Sequence, residues 1–340
     1  MAHPILTPAP VPAIVESRPG DSLGARILAP AMRRTIYRAL DLGRPSAAVL
    51  RAAFLFDYLG GLLRAPRGTR VRRVRFPRFR AEFVSGPGVP RSGEARGVIL
   101  YFHGGGFMAC GLRTHRRLVA RISRAAGVPV FNVAYRQLPT ATLDETLRDC
   151  LDAYQLLLRE GHRPDRIVFA GDSAGGYLAF AAALRAAAES LPAPAGIVGL
   201  SPWLDLECRH SRDYPTADTD PYLPKRRVIE LAALVTGGAA PLAPILDADL
   251  RGLPPALIQV GSVELLCSDA EQMTQRLANA GVPVRLQVWQ RQVHVFQAFA
   301  DLVPEAHAAI TEIGGFVSSA LRPARDHRPA APHHEPETAA

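Results

Sequence analysis

The sequence predicts an α/β fold, in which a central, mostly parallel sheet carries helices on both faces and a helical cap is added to it. Short, continuously apolar segments of strand length alternate with segments of helical periodicity through most of the 340 residues. Strands that are apolar without alternation are typical of a parallel sheet buried on both faces. Two segments lie outside this alternation, and a glycine-rich turn joins one strand to the following helix. These three observations indicate a core sheet, a cap and a candidate site.

The strands and helices of the predicted sheet follow one another in order. Apolar runs predict strands at 97–102, 128–135, 166–171, 197–200, 256–260 and 284–289. Helical spacing of apolar residues predicts helices at 113–126, 142–160, 174–189 and about 304–321. Strands that alternate with helices in this way indicate parallel pairing through crossover connections.

The same pattern separates a core from its additions. Residues 65–204 and 252–321 contain the elements of the core. Residues 1–64 are expected to form a loose N-terminal arm followed by cap helices, and residues 205–251, rich in proline and acidic residues, a cap insertion. Ligands of open α/β sheets bind at the carboxyl ends of the strands, where such an insertion would cover them. Residues 322–340, proline-rich and poor in apolar residues, are expected to be a disordered tail.

The formal charge of +9 comes almost entirely from arginine, since the chain has one lysine. Such a charge raises nucleic acid and anionic membranes as partners. Eight of the arginines lie within residues 64–80 and alternate with apolar residues. Val74 and Phe76 are expected on one face of this stretch, and Phe79, Ala81 and Phe83 on another. This arrangement is typical of outer strands whose charged side chains face water. We therefore expect no nucleic-acid partner.

Neither a metal site nor an export signal is indicated. The four cysteines are widely spaced without a C-x-x-C pair, which argues against a zinc site and a dense disulfide framework. The N-terminus lacks the basic and apolar regions of a secretory signal. The most apolar early stretch, residues 47–63, is interrupted by charges and is too short to span a bilayer. We expect a cytoplasmic protein without stable membrane insertion.

The glycine-rich turn at residues 171–175, GDSAG, matches the pattern G-x-S-x-G. It follows the strand RIVFA and opens a helix, as a nucleophile elbow requires. Gly171 and Gly175 would avoid side-chain clashes in the strained turn that presents Ser173. The alternative is an ordinary strand-to-helix turn.

A second glycine-rich segment follows the strand at 97–102 directly. In HGGGF, residues 103–107, the glycines Gly104, Gly105 and Gly106 leave backbone N–H groups free to point at one spot, as an oxyanion hole requires. An isolated triple glycine would more simply be a flexible turn, but the elbow further along the chain favours the oxyanion hole. His103 is expected to shape the loop rather than act as a base.

A nucleophilic serine needs a histidine base and a carboxylate that orients it. In hydrolases with this elbow the chain order is serine, acid, histidine. His294 follows a late strand in a loop that could reach the sheet edge, whereas the other histidines beyond Ser173 lie in the cap, the final helix or the tail. Glu264, just past the preceding strand, is the expected acid. Asp269 is the alternative, although it falls in the next helix, where capping is its ordinary role.

These motifs resemble the hormone-sensitive-lipase group of α/β-hydrolases, bacterial carboxylesterases that carry a cap. HGGGF, YRQLP, GDSAGG, SPWLDL, GSVELL and HVF occur in the family's order and spacing over about residues 97–321. The resemblance implies the α/β-hydrolase fold, with Ser173 as nucleophile and His294 as base. It also implies an oxyanion hole made by the N–H groups of Gly105, Gly106 and Ala174.

The chain departs from this family near the site. Members often carry the aspartate of a D-P-L-x-D motif where this chain has Glu264, although a glutamate subgroup exists. Tyr177 stands where a small or amide residue is usual, so that it either narrows the pocket or packs. We expect Phe107 and Tyr177 to contact the substrate.

The predicted function is a serine hydrolase that cleaves carboxylic esters of short to medium acyl chains through an acyl-enzyme. Its partner is a small-molecule ester, no cofactor or metal is required, and a homodimer is left open. Amides, lactones or acetyl and other acyl groups on a natural product are alternative substrates for the same residues. A ligand-binding protein that keeps the fold without turnover is a further alternative, but such relatives commonly lose the histidine, which is present here.

Overall fold

The computed structural model describes residues 9–43, 57–58, 60–62, 64–237 and 244–322. The strands are β1 (Ile14–Arg18), β2 (Arg70–Arg75), β3 (Arg80–Ser85), β4 (Val98–Phe102), β5 (Val130–Ala134), β6 (Ile167–Asp172), β7 (Gly196–Leu200), β8 (Ala256–Gly261) and β9 (Val284–Trp289). The helices are α1 (Leu23–Arg34), α2 (Ile36–Leu42), α3 (Leu112–Ala126), α4 (Leu143–Arg159), α5 (Ala174–Ala188), α6 (Lys225–Thr236), α7 (Cys267–Asn279) and α8 (Pro304–Ala320).

The strands of the described chain form one sheet in the order β1-β9-β8-β7-β6-β4-β5-β3-β2. The pairs from β1 to β5 are parallel. Strand β3 then pairs antiparallel with β5 and with β2. The carboxyl ends of the parallel strands therefore lie at one edge, which carries the loops after β4, β6, β7, β8 and β9.

Each central strand is buried on both faces, as its continuous apolar sequence predicts. In β4, Val98, Leu100 and Phe102 pack with α4, α5 and α7 on one face. Ile99 and Tyr101 face the opposite side, toward α3 and α8. Because side chains of a strand point alternately to its two faces, one apolar run fills two cores.

The structure confirms the predicted elements of the central sheet. All the predicted strands and helices occur, with ends that differ from the prediction by at most two residues. The arginine-rich stretch forms the hairpin β2–β3 at the sheet edge, and the arginines of β2 are exposed. Val74 pairs with Ala81 across this hairpin, so that the two apolar sets pack on the same side of the sheet rather than on different faces.

The expectation of a loose N-terminal arm is wrong where the structure describes a strand and a helix in it. Residues 14–18 form β1, which pairs with β9 along its whole length. Helix α1 then begins at Leu23, where the Ser22 hydroxyl accepts a hydrogen bond from the Ala25 N–H at 3.0 Å. This segment therefore extends the core sheet and does not belong wholly to the cap. The predicted tail, residues 322–340, lies outside the described residues except for its first residue.

The two segments assigned to the cap contact each other. The Arg33 guanidinium donates to the Asp220 carbonyl at 2.8 Å, and Arg227 Nε donates to the Asp41 carbonyl at 3.0 Å. Helix α6 in the insertion thereby lies beside α2, and the segment that precedes α6 contacts α1. None of the helices in the described ranges is long and apolar enough to cross a membrane.

Candidate active site

Ser173 lies at the turn between β6 and α5, in a conformation that few residues adopt. Its φ of 53° and ψ of −121° place it outside the ordinary helical and strand regions, which is the strain of a sharp elbow. A Cβ at Gly175 would lie 1.9 Å from the Phe102 carbonyl oxygen, so that glycine alone permits this approach. The Ser173 N–H donates to the Leu200 carbonyl at 2.9 Å, which fixes the turn on the end of β7.

The glycine loop after β4 lies against this elbow. Gly105 and Gly106 have φ values of 114° and 61°, a region that favours glycine. The N–H groups of Gly105, Gly106 and Ala174 donate to no acceptor within the described chain. Three adjacent, unpaired donors beside a strained serine are suited to bind an oxyanion.

Gly104 is the exception among the predicted donors. Its N–H donates to Asp172 Oδ1 at 3.0 Å and is thus already occupied. The inclusion of Gly104 in the oxyanion hole is wrong, because a donor committed to a buried carboxylate has no proton left for the substrate. Gly104 instead anchors the start of the loop.

His294 and Glu264 form a close pair. His294 Nδ1 lies 2.7 Å from Glu264 Oε2, and both side chains are buried. The other carboxylate oxygen of Glu264 accepts the Ser201 hydroxyl at 2.7 Å and the Gly261 N–H at 2.6 Å. These contacts leave the carboxylate one orientation, with Oε2 aimed at the imidazole.

Asp269 does not contact His294. Its carboxylate accepts the N–H groups of Leu204 and Asp205 at 2.9 and 2.8 Å and so holds the loop that follows β7. Burial is the largest influence on this group and raises its pKa to about 7. Of the two carboxylates considered, the structure brings Glu264 to the histidine, and Asp269 supports the chain beside it.

The elbow and the histidine loop are fixed to the same strand end. Leu200 accepts from the Ser173 N–H, and the Ser201 hydroxyl accepts the N–H of Val295, next to His294, at 3.1 Å. Neither the Ser173 hydroxyl nor His294 Nε2 has a hydrogen-bond partner among the described residues, and Ser173 is only half-buried. Both atoms are therefore available to a substrate.

The pKa values of His294 and His103, two buried histidines near the site, are shifted in opposite directions. Burial alone would lower the pKa of His294, but the hydrogen bond and charge of Glu264 outweigh it and raise that pKa above its ordinary value. Burial lowers the pKa of His103 to about 4. His103 stacks on Tyr135 with ring centroids 4.4 Å apart, and its Nδ1 lies 2.7 Å from the Gly104 carbonyl oxygen. His103 is thus a neutral part of the loop, as expected.

Phe107 and Tyr177 lie in the core beneath the glycine loop. Their rings meet edge to face with centroids 5.7 Å apart, and Phe107 also packs on Trp203. Phe107 and Tyr177 are 0% and 2% exposed, so neither offers surface to a ligand here. Of the two alternatives for Tyr177, the structure shows that it packs in the core. The expectation that Phe107 and Tyr177 contact the substrate is wrong for this structure.

Three cap residues complete the site, although the sequence did not single them out. The Tyr222 ring lies 5.5 Å from the His294 ring. A Cβ at Gly106 would lie 2.7 Å from Leu231 Cδ2, which places α6 directly over the glycine loop. Asp220 accepts the N–H groups of Tyr222 and Leu265, the latter at 2.7 Å, and so ties the cap to the loop of Glu264.

The described residues contain no group of three or more histidine, cysteine or acidic side chains that could hold a metal ion. The side chains and backbone groups that meet at the site are a serine hydroxyl, an imidazole, a carboxylate and unpaired N–H groups. These are the parts needed for acyl transfer to and from a serine.

The chain is similar in sequence to known α/β-hydrolases. Residues 99–298 match the family model described as alpha/beta hydrolase fold. The carboxylesterase/phospholipase LipF of Mycobacterium tuberculosis is 39% identical over 88% of this chain and 83% of its own length. The esterase LipU of the same organism is 40% identical over 75% of this chain and 89% of its own length.

The chain is also similar to solved structures of esterases. The crystal structure of an esterase from the bacterial hormone-sensitive lipase family superposes with a TM-score of 0.80 at 36% identity, over 89% of this chain and 99% of that one. The similarity thus extends over most of both chains. The chain is a carboxylic ester hydrolase with the α/β-hydrolase fold and belongs to the hormone-sensitive-lipase family.

Proposed function

We propose that Ser173, His294 and Glu264 are the catalytic triad of a serine carboxylesterase that acts on short- to medium-chain esters. The observation that carries this proposal is the 2.7 Å contact between Glu264 Oε2 and His294 Nδ1, anchored on the same strand end as the strained Ser173. A carboxylate on Nδ1 fixes the tautomer whose Nε2 can accept the serine proton.

The proposed reaction has two acyl-transfer steps. Ser173 Oγ attacks the ester carbonyl carbon while His294 Nε2 takes its proton, and the N–H groups of Gly105, Gly106 and Ala174 stabilise the oxyanion. The imidazolium then protonates the leaving alcohol, and an acyl-enzyme remains. Water, deprotonated by the same imidazole, attacks the acyl-enzyme, and collapse of the second tetrahedral intermediate releases the acid and restores Ser173.

Two observations favour small, dispersed esters over long-chain lipid. Leu231 of α6 lies over Gly106, and the Tyr222 ring lies 5.5 Å from the His294 ring, from which we infer that the cap limits the length of the acyl chain. We propose a small-molecule ester as the partner and the cytoplasm as the compartment. All four cysteines are free thiols, which suits a reducing environment.

Hydrolysis of p-nitrophenyl esters from acetate to palmitate tests this proposal. We expect kcat/KM to be highest for short and medium chains and to fall for the longest. Ser173→Ala should lower kcat by at least about 10³-fold, because the oxyanion hole alone leaves only a small residual rate.

A p-nitroanilide of the same acyl group distinguishes esters from amides. Wild-type rates in Ser173→Ala would contradict the triad. A faster reaction with the anilide or with palmitate would contradict the substrate class while leaving the triad in place.

A further inference from the structure

A buried polar cluster lies beneath the glycine loop and takes no part in the proposed proton transfers. Asp172 is at its centre. Its Oδ1 accepts the Tyr101 hydroxyl at 2.7 Å and the Gly104 N–H at 3.0 Å, and its Oδ2 lies 3.1 Å from His115 Nε2. The carboxylate therefore joins β4, the glycine loop and α3 from a position one residue before Ser173.

The second ring nitrogen of His115 also faces an acceptor. His115 Nδ1 lies 3.0 Å from the Thr114 hydroxyl oxygen, and that hydroxyl can donate to Asp57 Oδ1 or to the Gly111 carbonyl, both at 3.0 Å. Thr114 Oγ1 then has a lone pair for a proton on Nδ1. With acceptors at both nitrogens, the surroundings suit an imidazolium that donates twice.

The charges of the cluster agree with this pattern. Burial acts to lower the pKa of His115, but Asp172 and, further away, Asp57 outweigh it and raise that pKa. Burial acts to raise the pKa of Asp172, but His115 and the Tyr101 hydroxyl outweigh it and lower that pKa. His103, neutral, is the other titratable ring close by, with its centroid 5.4 Å from that of His115.

The contact between Asp172 and Gly104 fixes the position of the residue that precedes the two N–H donors of the glycine loop. A Cβ at Gly104 would lie 2.3 Å from Asp172 Oδ2, so that only glycine can approach the carboxylate this closely. The next two residues, Gly105 and Gly106, carry the donors. Because Asp172 is bonded covalently to Ser173, one side chain sets the spacing between nucleophile and donors.

We propose that Asp172 and His115 are positioning residues that hold the oxyanion loop at a fixed distance from Ser173, and that His115 also neutralises the carboxylate beneath the loop. The inference rests on the proposed function. Without His115, the buried carboxylate would have no positive partner and would lie under the place where the substrate oxygen becomes negative. Such a charge opposes the transition state more than the bound ester.

A double-mutant cycle on p-nitrophenyl butyrate hydrolysis separates this role from a merely structural one. We expect His115→Leu to lower kcat by about 10- to 100-fold, within the range for a disturbed oxyanion donor, with KM changed by less than about threefold. His115→Gln keeps an N–H donor near the position of Nε2 but not the positive charge, so it should recover only part of the loss. In an Asp172→Asn background, where no charge needs compensation, His115→Leu should cost less than about threefold.

His162→Leu is the matched control, since its half-buried ring packs on Phe83 at the opposite end of the sheet, and it should leave kcat unchanged. Should His115→Leu fail to fold, Tyr101→Phe removes another donor from the same carboxylate and should lower kcat with little change in KM. Wild-type kcat in the variant tested, or an equal cost of His115→Leu in both backgrounds, overturns the inference. Failure of the proposed function is distinct, because Ser173→Ala would then remain active in the same assay.

Discussion

At the scale of single residues, the orientation of one carboxylate separates two chemically similar candidates. Glu264 and Asp269 are five positions apart and both are buried. The Ser201 hydroxyl and the Gly261 N–H bind one oxygen of Glu264, and the other meets His294. Asp269 bonds to the N–H groups of a loop about 65 residues away in sequence. A sequence pattern places both residues near the site but does not contain these distant partners.

The exchange of each carboxylate for its amide tests this assignment. Glu264→Gln should lower kcat by about 10²- to 10⁴-fold, because the amide no longer stabilises the imidazolium. Asp269→Asn keeps an oxygen for the two backbone N–H groups and should stay within about threefold of wild type, since hydrogen bonds made by the amide replace those of the acid. The reverse order of losses would exchange the two roles.

The pH profile of the same variants gives a second readout. The base acts in its neutral form, so kcat/KM should rise with pH as His294 loses its proton. Because Glu264 raises the pKa of His294, the wild-type inflection should lie above about 6.5, the ordinary histidine value. In Glu264→Gln the inflection should move to lower pH. A wild-type profile that stays flat down to about pH 4 contradicts a histidine base.

At the scale of elements, the least predictable parts are those whose partners are distant or polar. Strand β1 has the sequence IVESR, and Ile14 and Val15 are 55% and 63% exposed. It is held by its ladder with β9 and by contacts such as that of Arg18 with Glu312 at 3.0 Å. An outer strand of this kind has no apolar run to identify it. The central strands were predictable because burial on both faces requires such runs.

The position of α6 over the oxyanion loop leads to a prediction about acyl length. Leu231 occupies space above Gly106, so Leu231→Ala should open that space to a longer chain. We expect the ratio of kcat/KM for octanoate to that for butyrate to rise about tenfold. A change of this size is within the range of discrimination that a methylene group provides in an apolar pocket. Leu234→Ala, on an exposed position of the same helix, is the control and should leave the ratio unchanged. Equal shifts in both variants would show a general loosening of the cap instead.

At the scale of the whole molecule, the fold brings loops from four strands to one edge. The glycine loop follows β4, the elbow β6, the acid β8 and the histidine β9, while β7 between them ties the elbow to the histidine loop. The succession of central strands and motifs along the chain was predictable because each motif directly follows an apolar run. The packing of the cap on the site could not be predicted from the sequence, because Tyr222 and Leu231 reach the site through tertiary contacts alone.

The basic surface also finds its explanation at this scale. The arginines of β2 lie on the last strand of the sheet and are exposed, where charge discourages pairing with other chains. The charge of +9 is thus largely a property of an edge. The proposed hydrolytic site lies at the carboxyl ends of the central strands and does not include these side chains.

The central claim is that Ser173 becomes covalently acylated, and labelling with diethyl p-nitrophenyl phosphate tests it most directly. The reagent phosphorylates a serine that is activated by a histidine. Peptide mapping by mass spectrometry should find one diethylphosphoryl group per chain on Ser173, formed in step with loss of esterase activity and absent from Ser173→Ala. A label on another residue, or full activity in the chain labelled at Ser173, would contradict the account.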